Sequence, residues 1–220
     1  TALEDVVLAP GNRLDLVVDL SEGGSELTAM PVDRGGMMGQ MMGGGPRPGG
    51  GGPVTLARLS VSASGNRAVG EIPAGPAVRD LRDADVDGRR SITFQMGMGG
   101  MMGGAGMGGA MGINGRAMDM GRIDERVALG SIEIWRIRNT SPLAHPFHIH
   151  GVQFRTLDRN GRPPLPHERG LKDTVMVDPD STVRVITEFS DFADPKRPYM
   201  YHCHILEHED AGMMGQFVVV

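Results

Sequence analysis

Six of the seven histidines and the only cysteine of this 220-residue chain fall in two short stretches. They are His145-Pro146-Phe147-His148-Ile149-His150-Gly151 and His202-Cys203-His204-Ile205-Leu206-Glu207-His208-Glu209-Asp210-Ala211-Gly212-Met213. Imidazole, thiolate and thioether are ligands that transition metals of intermediate and soft character prefer. Alternation along an extended chain decides which of them can share an ion, because successive side chains point to opposite faces. Cys203 then faces one way, and His202 and His204 the other. His148 and His150 share a face, and His145, at odd separation from both, points away from them. One site can therefore collect His145, Cys203, His208 and Met213. Two imidazoles, one thiolate and a weak axial thioether are the donor set of a blue-copper electron-transfer centre. The other side collects His148, His150, His202 and His204, four imidazoles that suit copper bound as a cluster once further ligands arrive from elsewhere. Met214, next to Met213, is the rival for the axial position.

Other chemistries match less well. Zinc would need a closed site, and one cysteine with six histidines provides none, since the His-Cys-His triplet splits its ligands over two faces. A cysteine nucleophile activated by histidine needs one partner only. His167 stands alone and reads as an ordinary polar residue. With 22 Lys+Arg against 27 Asp+Glu, a net charge of −5 and a pI of about 5.8, the chain is not charged to bind nucleic acid or an anionic membrane surface. No apolar run approaches the roughly 18 residues of a membrane span. A single cysteine leaves no intramolecular disulfide framework.

The elements that must hold the two clusters in place are mostly strands. Candidates run over residues 6–8, 14–20, 54–62, 92–95, 132–138, 153–157, 174–177, 182–189, 199–204 and 216–220. Turn signals at Pro10-Gly11-Asn12, Asn160-Gly161-Arg162-Pro163-Pro164, Pro179-Asp180 and Asp194-Pro195 punctuate them, and no long helical period interrupts the series. The first of these turns marks 6–8 and 14–20 as a hairpin. In 54–62 the apolar residues change parity between Leu56 and Leu59, which fits a bulge or a strand buried on both faces. Many short strands at this spacing predict an all-β sandwich or barrel. Residues 64–90, rich in Gly and Pro and then in charge, read as an interdomain linker. Residues 91–220 are enough for one complete sandwich, whereas 1–63 look like the tail of a preceding domain. Because Thr1 lies in strand-like text without a signal-like stretch, an N-terminal portion with any targeting peptide is expected upstream.

Thirteen of the 17 methionines lie in two Gly-rich stretches, within 30–42 and 96–120. Such low-complexity text reads as flexible loop. Thioethers are also soft donors for Cu(I), so a mobile methionine arm could gather cuprous ions near a site.

The pair HPFHIHG and HCHILEHEDAGMM resembles the C-terminal cupredoxin domain of the bacterial multicopper oxidases, the group that holds bacterial laccases and the cuprous oxidase of copper resistance. The likeness extends through Ile113-Asn114-Gly115, Lys172-Asp173-Thr174-Val175 and a Met/Gly-rich insertion at 96–112. Leu8-Ala9-Pro10-Gly11-Asn12-Arg13 and the text after it resemble the end of a copper-free middle domain. The resemblance implies a cupredoxin-like Greek-key β-sandwich or barrel over 91–220, preceded by the C-terminal part of a second cupredoxin-like domain over 1–63. It also implies copper as cofactor, in type 1, type 2 and type 3 centres. His145, Cys203 and His208 would hold the type 1 copper with Met213 axial, His148 the type 2 copper, and His150, His202 and His204 the type 3 pair. Cu(I) or a phenolic reductant would give up electrons singly at the type 1 site, and dioxygen would become water at the trinuclear cluster. Glu209, directly after a type 1 ligand, matches the acidic residue that relays protons to that cluster.

Two departures accompany the likeness. The cluster's other histidines, in two His-x-His motifs of an N-terminal cupredoxin domain, have no counterpart in these 220 residues, so that domain of the same protein is an expected partner. Ser141 and Leu143 stand where the cuprous oxidase carries an aspartate and a methionine for substrate copper. A periplasmic or extracellular location and a role in copper homeostasis also follow from the resemblance alone. The alternatives are a blue-copper electron-transfer protein, against which the four extra histidines count, and a non-enzymatic copper-binding buffer built on the methionines.

Overall fold

The computed structural model describes residues 5–20, 23–32, 52–61, 75, 77–97 and 111–220. Among them the chain is almost wholly β and divides into two compact units, Thr1–Arg13 with Asp80–Val220, and Leu14–Arg79. No helix among the described residues is long and apolar enough to cross a membrane.

In the unit Leu14–Arg79, β1 (Ser25–Ala29) pairs antiparallel with β2 (Val54–Leu59). Leu27 faces Ala57 and Thr28 faces Thr55, so Leu56 is the extra residue of a bulge, which accounts for the change of apolar parity. β2 is exposed along its whole length rather than buried on both faces. The hairpin expected over 6–8 and 14–20 does not form. Its Pro-Gly turn is present, but residues 5–20 contain no strand. Val7, Leu16, Val17 and Val18 are largely exposed and, among the described residues, pair with no strand.

The other unit is a two-sheet sandwich. Its strands are β3 (Gly88–Met96), β4 (Met111–Ile113), β5 (Glu125–Val127), β6 (Ile132–Asn139), β7 (His145–Ile149), β8 (Phe154–Arg159), β9 (Leu171–Lys172), β10 (Thr174–Val177), β11 (Thr182–Glu188), β12 (Tyr199–Cys203) and β13 (Met214–Val219). One sheet runs β10-β7-β12-β13-β5, the other β4-β3-β6-β11-β8-β9. Every strand expected between 92 and 220 is present. β7 covers the stretch read as extended chain from the alternation of its histidines, whereas β4, β5 and β9 were not expected because two or three residues carry too little alternation to read. A short helix, α1 (Leu206–Asp210), was missed for the same reason. Leu81 packs with Ile132 and Ile186, and β3 starts at Gly88, so the sandwich unit takes in chain ahead of residue 91.

The core joins the inward residues of both sheets, among them Phe94, Trp135, Ile137 and Val185 from one and Phe147, Val175, Tyr201 and Phe217 from the other. Trp135 is its centre, with the rings of Phe147, Phe189, Tyr201 and Phe217 at 5.5–6.4 Å. Its indole N–H donates to the buried Glu133 carboxylate at 2.9 Å, and Arg90 pairs with that carboxylate. Trp135→Ala should therefore cost about 3–5 kcal/mol of unfolding free energy. Urea titration checks this, and a loss under about 1 kcal/mol would contradict the central position of the indole.

Most of the two Met/Gly-rich stretches, residues 33–51 and 98–110, lies outside the described residues. At the edges of the second stretch, Met96 and Met111 pair across β3 and β4 and pack partly buried against the core.

Candidate metal centre

Strand register sorts the donors. β12 lies beside β7 with His202 opposite His148 and Cys203 opposite Phe147, and β10 lies on the other side of β7 with Thr174 opposite His148. Residues directly opposite each other share a face. His148, His202 and Thr174 thus occupy the outer face of the sheet, while Phe147, Cys203 and, by alternation, His145 occupy the core face.

On the core face, the donor atoms of His145, Cys203 and His208 all lie within 4.8 Å of one another. The two Nδ1 atoms are 3.1 Å apart, and the thiol sulfur is 3.5 Å from each. His145 opens β7, Cys203 closes β12, and α1 brings His208 back over them. Gly212, at φ +94°, lets the chain leave α1 and reverse into β13. Met213 then donates its N–H to the His208 carbonyl and accepts from the Cys203 N–H, each at 3.0 Å. Its side chain is fully buried, whereas Met214 pairs with His202 at the strand start and is partly exposed.

Ser141, missed as a site residue, holds His145. Its Oγ is 2.6 Å from His145 Nε2 and donates to the buried Asn139 Oδ1 at 2.8 Å. An Nε2–H donating to Ser141 leaves the Nδ1 lone pair turned toward Cys203 and His208. A serine four residues from a histidine carries no pattern that would have revealed this. Burial, with His208 adding to it, pulls His145 down to about 3. Burial pushes the Cys203 thiol up to about 12. A neutral imidazole and a thiol that ionises only against a cation suit a metal ligand and not a nucleophile.

On the outer face, the donor atoms of His148, His150 and His202 also lie within 4.8 Å of one another, with the Nε2 atoms of His150 and His202 at 3.1 Å. Here Nδ1 is the tethered nitrogen. His148 Nδ1 lies 2.9 Å from both the Asp173 carbonyl and the Thr174 hydroxyl. His202 Nδ1 lies 3.0 Å from the Cys203 carbonyl and 3.3 Å from Glu209 Oε2. The His204 ring is 5.2 Å from that of His148 and 5.5 Å from that of His202, beside the group rather than within it. Burial lowers His148 to about 4 and also lowers His150, so both rings are neutral with lone pairs available. His167 lies in a 3-10 turn, Pro166–Glu168, and joins neither group. Cys203 and His202, neighbours in the chain, thus belong to different groups on opposite faces of one strand. Two imidazoles, a buried thiol and a buried thioether fit copper, and the purely imidazole group beside them fits it as well.

Comparisons with known proteins point to one family for the C-terminal part of the chain. The family model described as multicopper oxidase matches residues 85–220. The multicopper oxidase mco of Staphylococcus haemolyticus is 42% identical over 105 residues, which are 46% of this chain and 23% of that protein. The cell division protein FtsP of Pectobacterium atrosepticum is 31% identical over 226 residues, 99% of this chain and 43% of that protein. Among solved structures, a bacterial laccase-like multicopper oxidase from Ochrobactrum sp. superposes with a TM-score of 0.64 at 39% identity, covering 79% of this chain and 40% of that one. The sandwich is accordingly cupredoxin-like, and the chain spans less than half the length of each of these relatives.

Proposed function

Because this chain belongs to the multicopper oxidase family, we propose that it is the copper-binding C-terminal part of an oxidase that withdraws single electrons from Cu(I) or a phenol and delivers them to dioxygen. The observation that carries this reading is the second histidine group, one residue from Cys203 and on the opposite face of the strand. A blue-copper carrier needs only the first group. Likeness to FtsP extends over nearly the whole chain, so the ligand set, not overall similarity, supports the choice of an oxidase.

In this reading His145, Cys203 and His208 hold the type 1 copper with Met213 axial, His148 holds the type 2 copper, and His150, His202 and His204 hold the type 3 pair. Bound copper supplies one-electron redox chemistry and the reduction of dioxygen to water. The protein's own contribution is positional. Ser141 and the Thr174 hydroxyl set the two kinds of histidine with opposite nitrogens inward. The Cys203 peptide units give electrons a covalent route to His202 and His204, and the Glu209 carboxylate, 3.3 Å from His202 Nδ1, is placed to relay protons. The chain up to residue 63 derives from the end of a copper-free middle domain and is joined by an interdomain linker to the copper domain, which includes the segment from Asp80 that packs in the sandwich. The remaining cluster histidines come from an N-terminal cupredoxin domain of the same protein. The methionine stretches favour Cu(I) as substrate, and the family resemblance alone carries a role in copper homeostasis and a periplasmic or extracellular setting.

Copper counting on the intact gene product tests the reading. Four ions per chain with a blue absorption are expected. One ion marks an electron carrier, and a variable Cu(I)-dependent number marks a buffer. Within the type 1 site, Met213→Leu should keep the copper and raise its reduction potential, because losing a weak axial donor destabilises Cu(II) more than Cu(I). The same change at Met214 should leave the potential where it is. Redox titration of both variants decides, and a shift at Met214 alone would move the axial ligand by one residue.

A further inference from the structure

The turn around Pro10 and Gly11 reaches the outer histidine group from far along the chain. Ala9 accepts the Asn12 N–H at 2.9 Å, and Gly11 between them has φ +81°, the Pro-Gly signature of a type II turn. Asn12 Nδ2 donates to the Thr174 carbonyl at 2.8 Å, across 162 residues of sequence. The Arg13 guanidinium donates to both oxygens of Asp173, at 2.6 and 2.8 Å, and to the Gly11 carbonyl at 2.9 Å. Lys172 Nζ donates to the Arg13 carbonyl at 3.2 Å. Gly11 itself lies against the site, where a Cβ would stand 2.7 Å from His204 Cδ2 and 3.2 Å from Thr174 Oγ1.

The residues gripped by this turn are the ones that hold His148. Its Nδ1 meets the Asp173 carbonyl and the Thr174 hydroxyl, and that hydroxyl lies 3.3 Å from Asp173 Oδ1. Guanidinium, carboxylate, hydroxyl and imidazole therefore form one chain of contacts from Arg13 to His148. Partners of this kind fix the tautomer and ring direction of a ligating histidine. The Arg13–Asp173 pair is poorly placed to stabilise the fold, since the Arg13 side chain is 66% exposed.

We propose that the turn at residues 9–13 is a positioning device for the outer copper group. Asn12 and Arg13 hold the Asp173-Thr174 segment that orients His148, and Gly11 leaves the space that His204 occupies. This inference rests on the copper reading of the site. Copper at the outer group then depends on the turn, while copper bound by His145, Cys203 and His208 does not.

The test uses the intact gene product carrying Asn12→Ala with Arg13→Ala, and separately Arg13→Lys and Gly11→Ala. Copper per chain, the blue absorption, the paramagnetic resonance signal of type 2 copper and the melting temperature of copper-free protein are measured. The double variant should keep the blue band and the copper-free melting temperature. Its type 2 signal should change, and copper at the outer group should bind roughly 10–100-fold more weakly. Arg13→Lys, which keeps the ion pair, should restore much of the type 2 signal, and Gly11→Ala should lower outer-group copper by pressing on His204. A double variant with full copper and an unchanged type 2 signal would overturn the proposal, as would a parallel loss of blue band and melting temperature. A parent protein without a blue band overturns the copper reading beneath it instead.

Discussion

Replacing Cys203 with serine in the intact protein should remove the blue thiolate-to-copper absorption and all oxidase turnover. The thiolate is the only sulfur anion this chain can offer, and it lies 3.5 Å from the Nδ1 atoms of both His145 and His208. A serine hydroxyl is a harder and weaker donor that cannot produce the charge-transfer band. It also breaks the electron route at its first atom, because the peptide units on either side of Cys203 lead to His202 and His204. The fold should survive, since the exchange is nearly isosteric, although a hydroxyl in that wholly buried place needs a partner. Visible absorption and oxygen uptake with Cu(I) and with a phenol give the readout. A variant that keeps the intense band would show that another residue is the ligand.

Glu209→Gln should lower turnover about 10²–10⁴-fold, the range for removing a positioned proton donor or acceptor. α1 places the Glu209 carboxylate 3.3 Å from His202 Nδ1 with 28% of its side chain exposed, so it touches both the site and solvent. Glutamine keeps the shape and the ability to accept from His202 but cannot carry a proton. Copper content should accordingly stay unchanged while dioxygen uptake falls. Loss of copper instead of turnover would make Glu209 a residue that orients His202, and no effect on either would leave it an ordinary loop carboxylate.

The sorting of His145 and Cys203 from His148, His150, His202 and His204 was legible because it depends only on alternation, a local property of extended chain. His145 with Cys203, and His148 with His202, follow from counting odd and even positions, and the register of β7 against β12 places them as counted. His208 and Glu209 were legible as types but not as geometry. They sit on α1, whose five residues show no period, where sequence reading saw only loop. Reading 14–20 as a strand failed for the opposite reason. Its local pattern is sound, but pairing requires a neighbour, and among the described residues no strand pairs with Val17 and Val18.

The sequence by itself determined the all-β class, the donor chemistry and the two-faced plan, because residue type and parity need no knowledge of distant chain. The tertiary structure alone decided how each imidazole is oriented. Ser141 reaches His145 within one short loop, but Thr174 against His148, and Asn12 and Arg13 behind them, are joined through space, in one case across 162 residues. A hydrogen bond between such positions depends on which strands become neighbours, and burial of both sheets around Trp135 selects that arrangement.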